Sequence, residues 1–99
     1  MTKADIFKED WIMTAYDDEL YVGKVLNITN KTLLVQFLDE TSLSPTKLSK
    51  TDKQKVNEKL AICKVKVQEV EGNFLIDDKS WAEAEKMGKA YINTFMKQQ

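Results

Sequence analysis

Apolar and polar positions alternate along residues 11–16, with Trp11, Met13 and Ala15 on one side and Ile12, Thr14 and Tyr16 on the other. A period of two is that of an extended strand. The polar triplet at 17–19 reads as a turn, and residues 20–28, rich in Val, Leu, Tyr and Ile, as a second strand. After the polar turn 29–31, the run TLLVQFL at 32–38 is a third. Three short strands with three-residue turns predict an antiparallel meander. Residues 2–10 are mixed and predict a short helical or irregular cap.

The pattern then changes. Residues 39–60 are polar, rich in Ser and Thr, and hold the single proline, Pro45. Thr51-Asp52-Lys53-Gln54 has the form of a capping box, so a helix of about two turns is expected there, with Val56 and Leu60 inward. Residues 61–70 alternate again (Cys63, Val65 and Val67 against Lys64, Lys66 and Gln68) and read as one strand with a dry face. Glu71-Gly72-Asn73 turns the chain into a partner strand at 73–77. From Trp81 onward, Trp81, Ala84, Gly88, Tyr91 and Phe95 recur at spacings of three and four, the stripe of an amphipathic helix. Ser80-Trp81-Ala82-Glu83 is a second capping box, and Ser80 is its expected N-cap. The predicted class is mainly β, a small antiparallel barrel with a polar insertion and a C-terminal helix. The chain reads as one domain, with strands over 11–70 and a hairpin return plus helix over 71–99.

Composition narrows the function. The chain has 99 residues, 15 lysines against 16 acids, no arginine and no histidine. A net charge of −1 gives no global attraction to nucleic acid or membrane. Without arginine the bidentate fork that reads guanine is missing, and without histidine so is the commonest general base and metal ligand. No nucleophile elbow, glycine-rich phosphate loop or zinc-binding helix motif is present, so neither catalytic residues, a metal site nor a cofactor is expected. Cys63, flanked by apolar residues, reads as a buried small hydrophobe. A lone cysteine, no signal-peptide pattern and no apolar run long enough to span a bilayer set the expectation of an intracellular protein.

Residues 11–43 resemble the Tudor family of small SH3-like barrels. The resemblance lies in Tyr16 before an acidic turn, in "YVG" with Tyr21 two residues before Gly23, and in "LVQFLD" with Phe37 and Asp39. By position it implies an aromatic cage for methylated lysine or arginine, walled by Tyr16, Tyr21 and Phe37 with Asp39 at its edge. The fourth wall, usually aromatic, falls on Leu43. A methylated ammonium keeps its charge while shedding hydration, so ring faces attract it through their quadrupoles. The implied ligand is a methylated tail such as a histone's, and the implied setting is the nucleus, in chromatin or a ribonucleoprotein. Inward packing of Tyr21 and Phe37 in a barrel core is the alternative.

Two further readings stand beside this one. Residues 47–66 carry seven lysines against Asp52 and Glu58, a local cationic excess that suits phosphates or an acidic partner. No aromatics are interleaved with them, which disfavours single-stranded nucleic acid. Trp81, Tyr91 and Phe95 on the helix form the other candidate: a partner interface or homodimer contact of a small interaction or inhibitor protein, against simple packing of the helix on its own sheet.

Overall fold

The computed structural model describes residues 6–17 and 19–96, with the side chains of 95 and 96 excepted. The chain is mainly β, with seven strands in two antiparallel sheets followed by one α-helix among the described residues. The first three strands follow the alternation: β1 (Trp11–Tyr16), β2 (Glu19–Thr29) and β3 (Thr32–Leu38). Their turns are tight, and Asp17 and Asn30 supply the left-handed backbone (φ 51° and 54°) that such turns need. Residues 6–10 are an irregular lead-in, as expected, held where the Glu9 amide donates to the Val25 carbonyl at 2.7 Å.

The polar segment departs from expectation. No helix forms at 51–60. Instead β4 (Leu48–Asn57) pairs with β3, from Thr32↔Asn57 to Gln36↔Lys53 and again at Leu38↔Leu48. The Thr51 capping box is not used, because Asp52 N–H donates to Ser49 Oγ (3.1 Å) and Gln54 Nε2 to Asp52 Oδ1 (2.9 Å). The Gln36 amide donates to the Ser49 carbonyl at 2.7 Å and holds the bulge between the two paired stretches. The strand is polar because it is an edge, and exposed lysines are how sheets discourage unwanted pairing there. Helical backbone is limited to the 3-10 turn Glu58–Leu60, capped by the Asn57 side chain.

Residues 61–70 are two strands, not one. β5 (Ala61–Lys64) returns to pair with β1, while β6 (Val67–Val70) leaves for a separate hairpin with β7 (Asn73–Ile76). The large sheet therefore has the order β4-β3-β2-β1-β5. β4 and β5 are its two edges, and no ladder joins them into the expected barrel among the described residues.

Each face of the sheet has its own core. On one lie Ile12, Val25, Leu33, Val35, Phe37 and Ala61, with Ile6 from the lead-in and partly buried Tyr21, Ile28 and Val56. Apart from Ile6 these all come from the sheet, which must coil over its own side chains to bury them. The other face carries Met13, Val22, Leu38, Cys63 and Val65 beneath Ile76 of the hairpin and Ala84 of α1 (Asp78–Tyr91). Cys63 is buried, and that burial raises its thiol pKa. The helix begins earlier than its second capping box suggests. Asp77 is the N-cap, its carboxylate accepting from Ser80 N–H at 3.0 Å. The Ser80 hydroxyl instead accepts from Lys66 N–H at 2.8 Å, fastening the helix to the β5–β6 junction. Past α1 the chain continues as a π-helical turn, Ile92–Met96. No described helix is long and apolar enough to cross a membrane.

Candidate functional site

Strand register decides which aromatics share a face. Tyr16 lies opposite Glu19 and Thr14 opposite Tyr21, so Tyr16, Glu19 and Tyr21 project from one side of the β1–β2 hairpin. The two tyrosines are diagonal neighbours, a relation that separates Cβ atoms by about 7 Å. Tyr16 is 69% exposed at the hairpin's end, and Tyr21 is half-buried. The rings thus occupy one face without being sealed in the core.

Phe37 corrects the expected wall. It lies opposite Gly23, is 7% exposed and belongs to the core of the coiled face. The glycine makes this possible. A Cβ there would stand 2.9 Å from Phe37 Cδ1 and 2.5 Å from Val35 Cγ1, so the space a side chain would fill is already taken by its neighbours. Phe37 meets Tyr21 edge-on, with centroids 6.3 Å apart and planes at 75°. It is a floor supporting Tyr21, not a third solvent-facing wall.

Asp39 and Leu43 lie in the connection between β3 and β4, residues 39–47, and both are exposed, Leu43 at 47%. Polar bonds fix this loop at both ends. Thr41 Oγ1 accepts from Val22 N–H at 3.1 Å, extending the ladder of β2 past the end of β3 and bringing the loop beside Tyr21. Asp39 N–H donates to the Lys47 carbonyl at 2.8 Å, and buried Thr46 exchanges backbone bonds of 2.9 and 2.7 Å with Phe74 of β7.

The surroundings of Tyr21 are acidic. Its hydroxyl donates to Glu19 Oε2 at 2.7 Å. That bond, then burial, then the charges of Glu19, Asp17 and Asp52 raise the phenol pKa above its ordinary value. Glu19 and Thr41 are members of the site that sequence reasoning missed. Glu19 is legible in retrospect, since two residues along a strand return to one face.

The helix stripe has a destination within the chain. Ala84 and Gly88 are buried, Ile92 is 6% exposed, and half-buried Trp81 packs into the core beneath α1. Tyr91 is half-buried, and the side chain of Phe95 lies outside the described residues. Of the lysines at 47–66, Lys64 is engaged with Asp10 at 3.1 Å and sits over the Phe7 ring, 5.4 Å from its centroid. Among the described residues no group of three or more Cys, Asp or Glu side chains is placed to hold a metal ion. Comparison with family models, curated proteins and solved structures finds no match to this chain.

Proposed function

We propose that this protein is a non-catalytic recognition module that takes a cationic side chain of a peptide, a methylated lysine or arginine, against Tyr16 and Tyr21. The observation that carries the reading is the pairing of those two rings on one open face with carboxylates around them. Each ring face contributes about 0.5–2 kcal/mol toward a cation, more as water is excluded. Glu19 is occupied by the Tyr21 hydroxyl, which fixes the ring, while exposed Asp17, whose charge acts on Tyr21, remains as a counter-charge and the resemblance adds Asp39. A carboxylate that accepts a remaining N–H favours lower methylation states over the trimethyl form.

With Phe37 as floor, two aromatic walls remain, Tyr16 and Tyr21, and the resemblance assigns the fourth wall to exposed Leu43, an aliphatic residue, so the site is shallower than a four-walled cage. The resemblance at 11–43 supports the same ligand and, with it, an intracellular setting in chromatin or a ribonucleoprotein. Titration of mono-, di- and trimethyllysine peptides tests the reading. Binding by the wild type and a loss of about tenfold or more in Tyr21→Ala is expected, equivalent to removing about 1.4 kcal/mol. A folded wild type that ignores every peptide at millimolar concentration rejects it.

A further inference from the structure

We infer a second binding site, distinct from the tyrosine face, in which a basic extended peptide adds a strand to the outer edge of β6. The edge is defined by hydrogen-bond direction. Asp77 N–H donates to the Lys66 carbonyl at 3.0 Å, so Lys66 and Asp77 occupy a hydrogen-bonding position of the ladder, with the Lys66 N–H diverted to Ser80 Oγ, just before the β6–β7 register of Val67↔Ile76 and Glu69↔Phe74. Bonded and non-bonded pairs alternate in an antiparallel ladder, which makes Val67↔Ile76 and Glu69↔Phe74 the non-bonded ones. Their amides and carbonyls therefore point away from the partner strand. Phe74 obeys this rule, because its outward groups are the ones that bond Thr46 on the far side of β7. The outward groups of Val67 and Glu69 face the opposite way, where no strand pairs with β6 among the described residues. A two-stranded hairpin with one open edge is a template for a third strand.

Beside this edge runs a groove of about 700 Å³. Trp11, Val65 and Val67 give it apolar lining, and the Trp11 ring is braced by Phe74 at 5.0 Å. The rim holds Glu9, Asp10, Asp77 and Glu83 against Lys64 and Lys66. Since Asp10 is paired with Lys64, three carboxylates face one ammonium. Charge complementarity selects a cationic occupant, whose apolar residues rest on the groove while its ammonium groups meet Glu9 and Glu83. A second copy of β6 would bring Glu69 and the same acidic rim against themselves, so self-pairing is disfavoured.

The test uses a capped hexapeptide of alternating lysine and valine, with its glutamate–valine counterpart as control, followed by amide resonances of the full chain. The lysine peptide is expected to shift the Val67 and Glu69 amides, the glutamate peptide not. Glu69→Pro removes an outward N–H that the β6–β7 ladder does not use. It is expected to weaken binding about tenfold or more while the β7 and helix resonances stay in place. The double change Glu9→Lys with Glu83→Lys alters two exposed side chains, is expected to do the same, and decides alone if the proline variant does not fold. Equal response to both peptides, no response to either, or undiminished binding in the variants overturns the inference. So does concentration-dependent dimerisation of the chain alone that Glu69→Pro abolishes, which assigns the edge to a second copy.

Discussion

Gly23 and Gly88 would each meet a neighbour if given a methyl group, and the kind of neighbour separates the two outcomes. At Gly23 the new carbon would lie 2.9 Å from the Gln36 carbonyl oxygen as well as 2.5 Å from Val35, so backbone in the middle of the sheet would have to move. Gly23→Ala is expected to cost about 1–3 kcal/mol in chemical denaturation, as overpacking does. At Gly88 the obstacles are the Leu20 methyls at 2.6 and 2.8 Å, the end of a partly buried side chain that can turn aside, and the sulfur of buried Met13 at 3.0 Å. Replacing a helical glycine also gains up to about 1 kcal/mol, so Gly88→Ala is expected within about 1 kcal/mol of wild type. Tyr21 carries a pH-dependent counterpart. Its pKa is raised in the folded state by the bond to Glu19, so this contribution to stability is complete below the ordinary tyrosine value and fades as pH rises through the folded one. Subtracting the tyrosinate absorbance titration of Tyr21→Phe from that of the wild type isolates this group. Glu19→Gln is expected to move its midpoint down, and an unmoved midpoint would remove Glu19 as the cause. Tyr16 and Tyr21 were marked by the resemblance at 11–43, and the β1–β2 register puts them on one face. For Phe37 the sequence left wall and core both open, because the choice depends on a glycine of another strand lying opposite.

Strands that bury side chains announced themselves, and strands that do not stayed silent. β1 and β3 occupy the residues the alternation marks, since most of their side chains enter one of the two cores. β4 has no buried residue, and what makes it a strand is the open side of β3, a tertiary demand with no local signature. The break between β5 and β6 was equally hidden. Alternation runs unbroken through Val65, but Val65 N–H donates to the Trp11 carbonyl while Lys66 is held by Ser80 and Asp77, and the strand is pulled into two sheets. Two capping boxes were read, and neither sets a helix start. At α1 the residue that caps is Asp77, three positions earlier than Ser80. Asp77→Ala is expected to lower stability by about 1 kcal/mol in thermal denaturation, with Asp77→Asn retaining most of the wild-type value. Equal stability of all three would mean that the cap contributes nothing.

The two proposed sites lie at opposite ends of β1 and on opposite faces of the sheet, Tyr16 at one and Trp11 at the other, about 17 Å apart at 3.3–3.4 Å per residue. Their settings also differ in how firmly the fold holds them. Tyr21 stands on the central strand of the five-strand sheet, between buried Val22 and a floor of core residues. The β6 edge belongs to a two-stranded hairpin, an arrangement that is marginal alone and here leans on Thr46, Trp11 and the N-terminal turn of α1. Native-state hydrogen exchange should separate these regions. Amides of Val25 and Val35, buried in the coiled core, are expected to exchange only with global unfolding, whereas the hairpin opens at lower cost. Within β6 the direction of each N–H adds a second contrast, with Gln68 and Val70 pointing at β7 and Val67 and Glu69 at solvent. The expected order is therefore slow exchange in the sheet, intermediate at 68 and 70, and fastest at 67 and 69. Addition of the lysine–valine peptide should slow 67 and 69 selectively, because hydrogen bonding to an added strand is the one change that protects alternate residues. Uniform protection along β6 without peptide would show that its outer edge already has a partner.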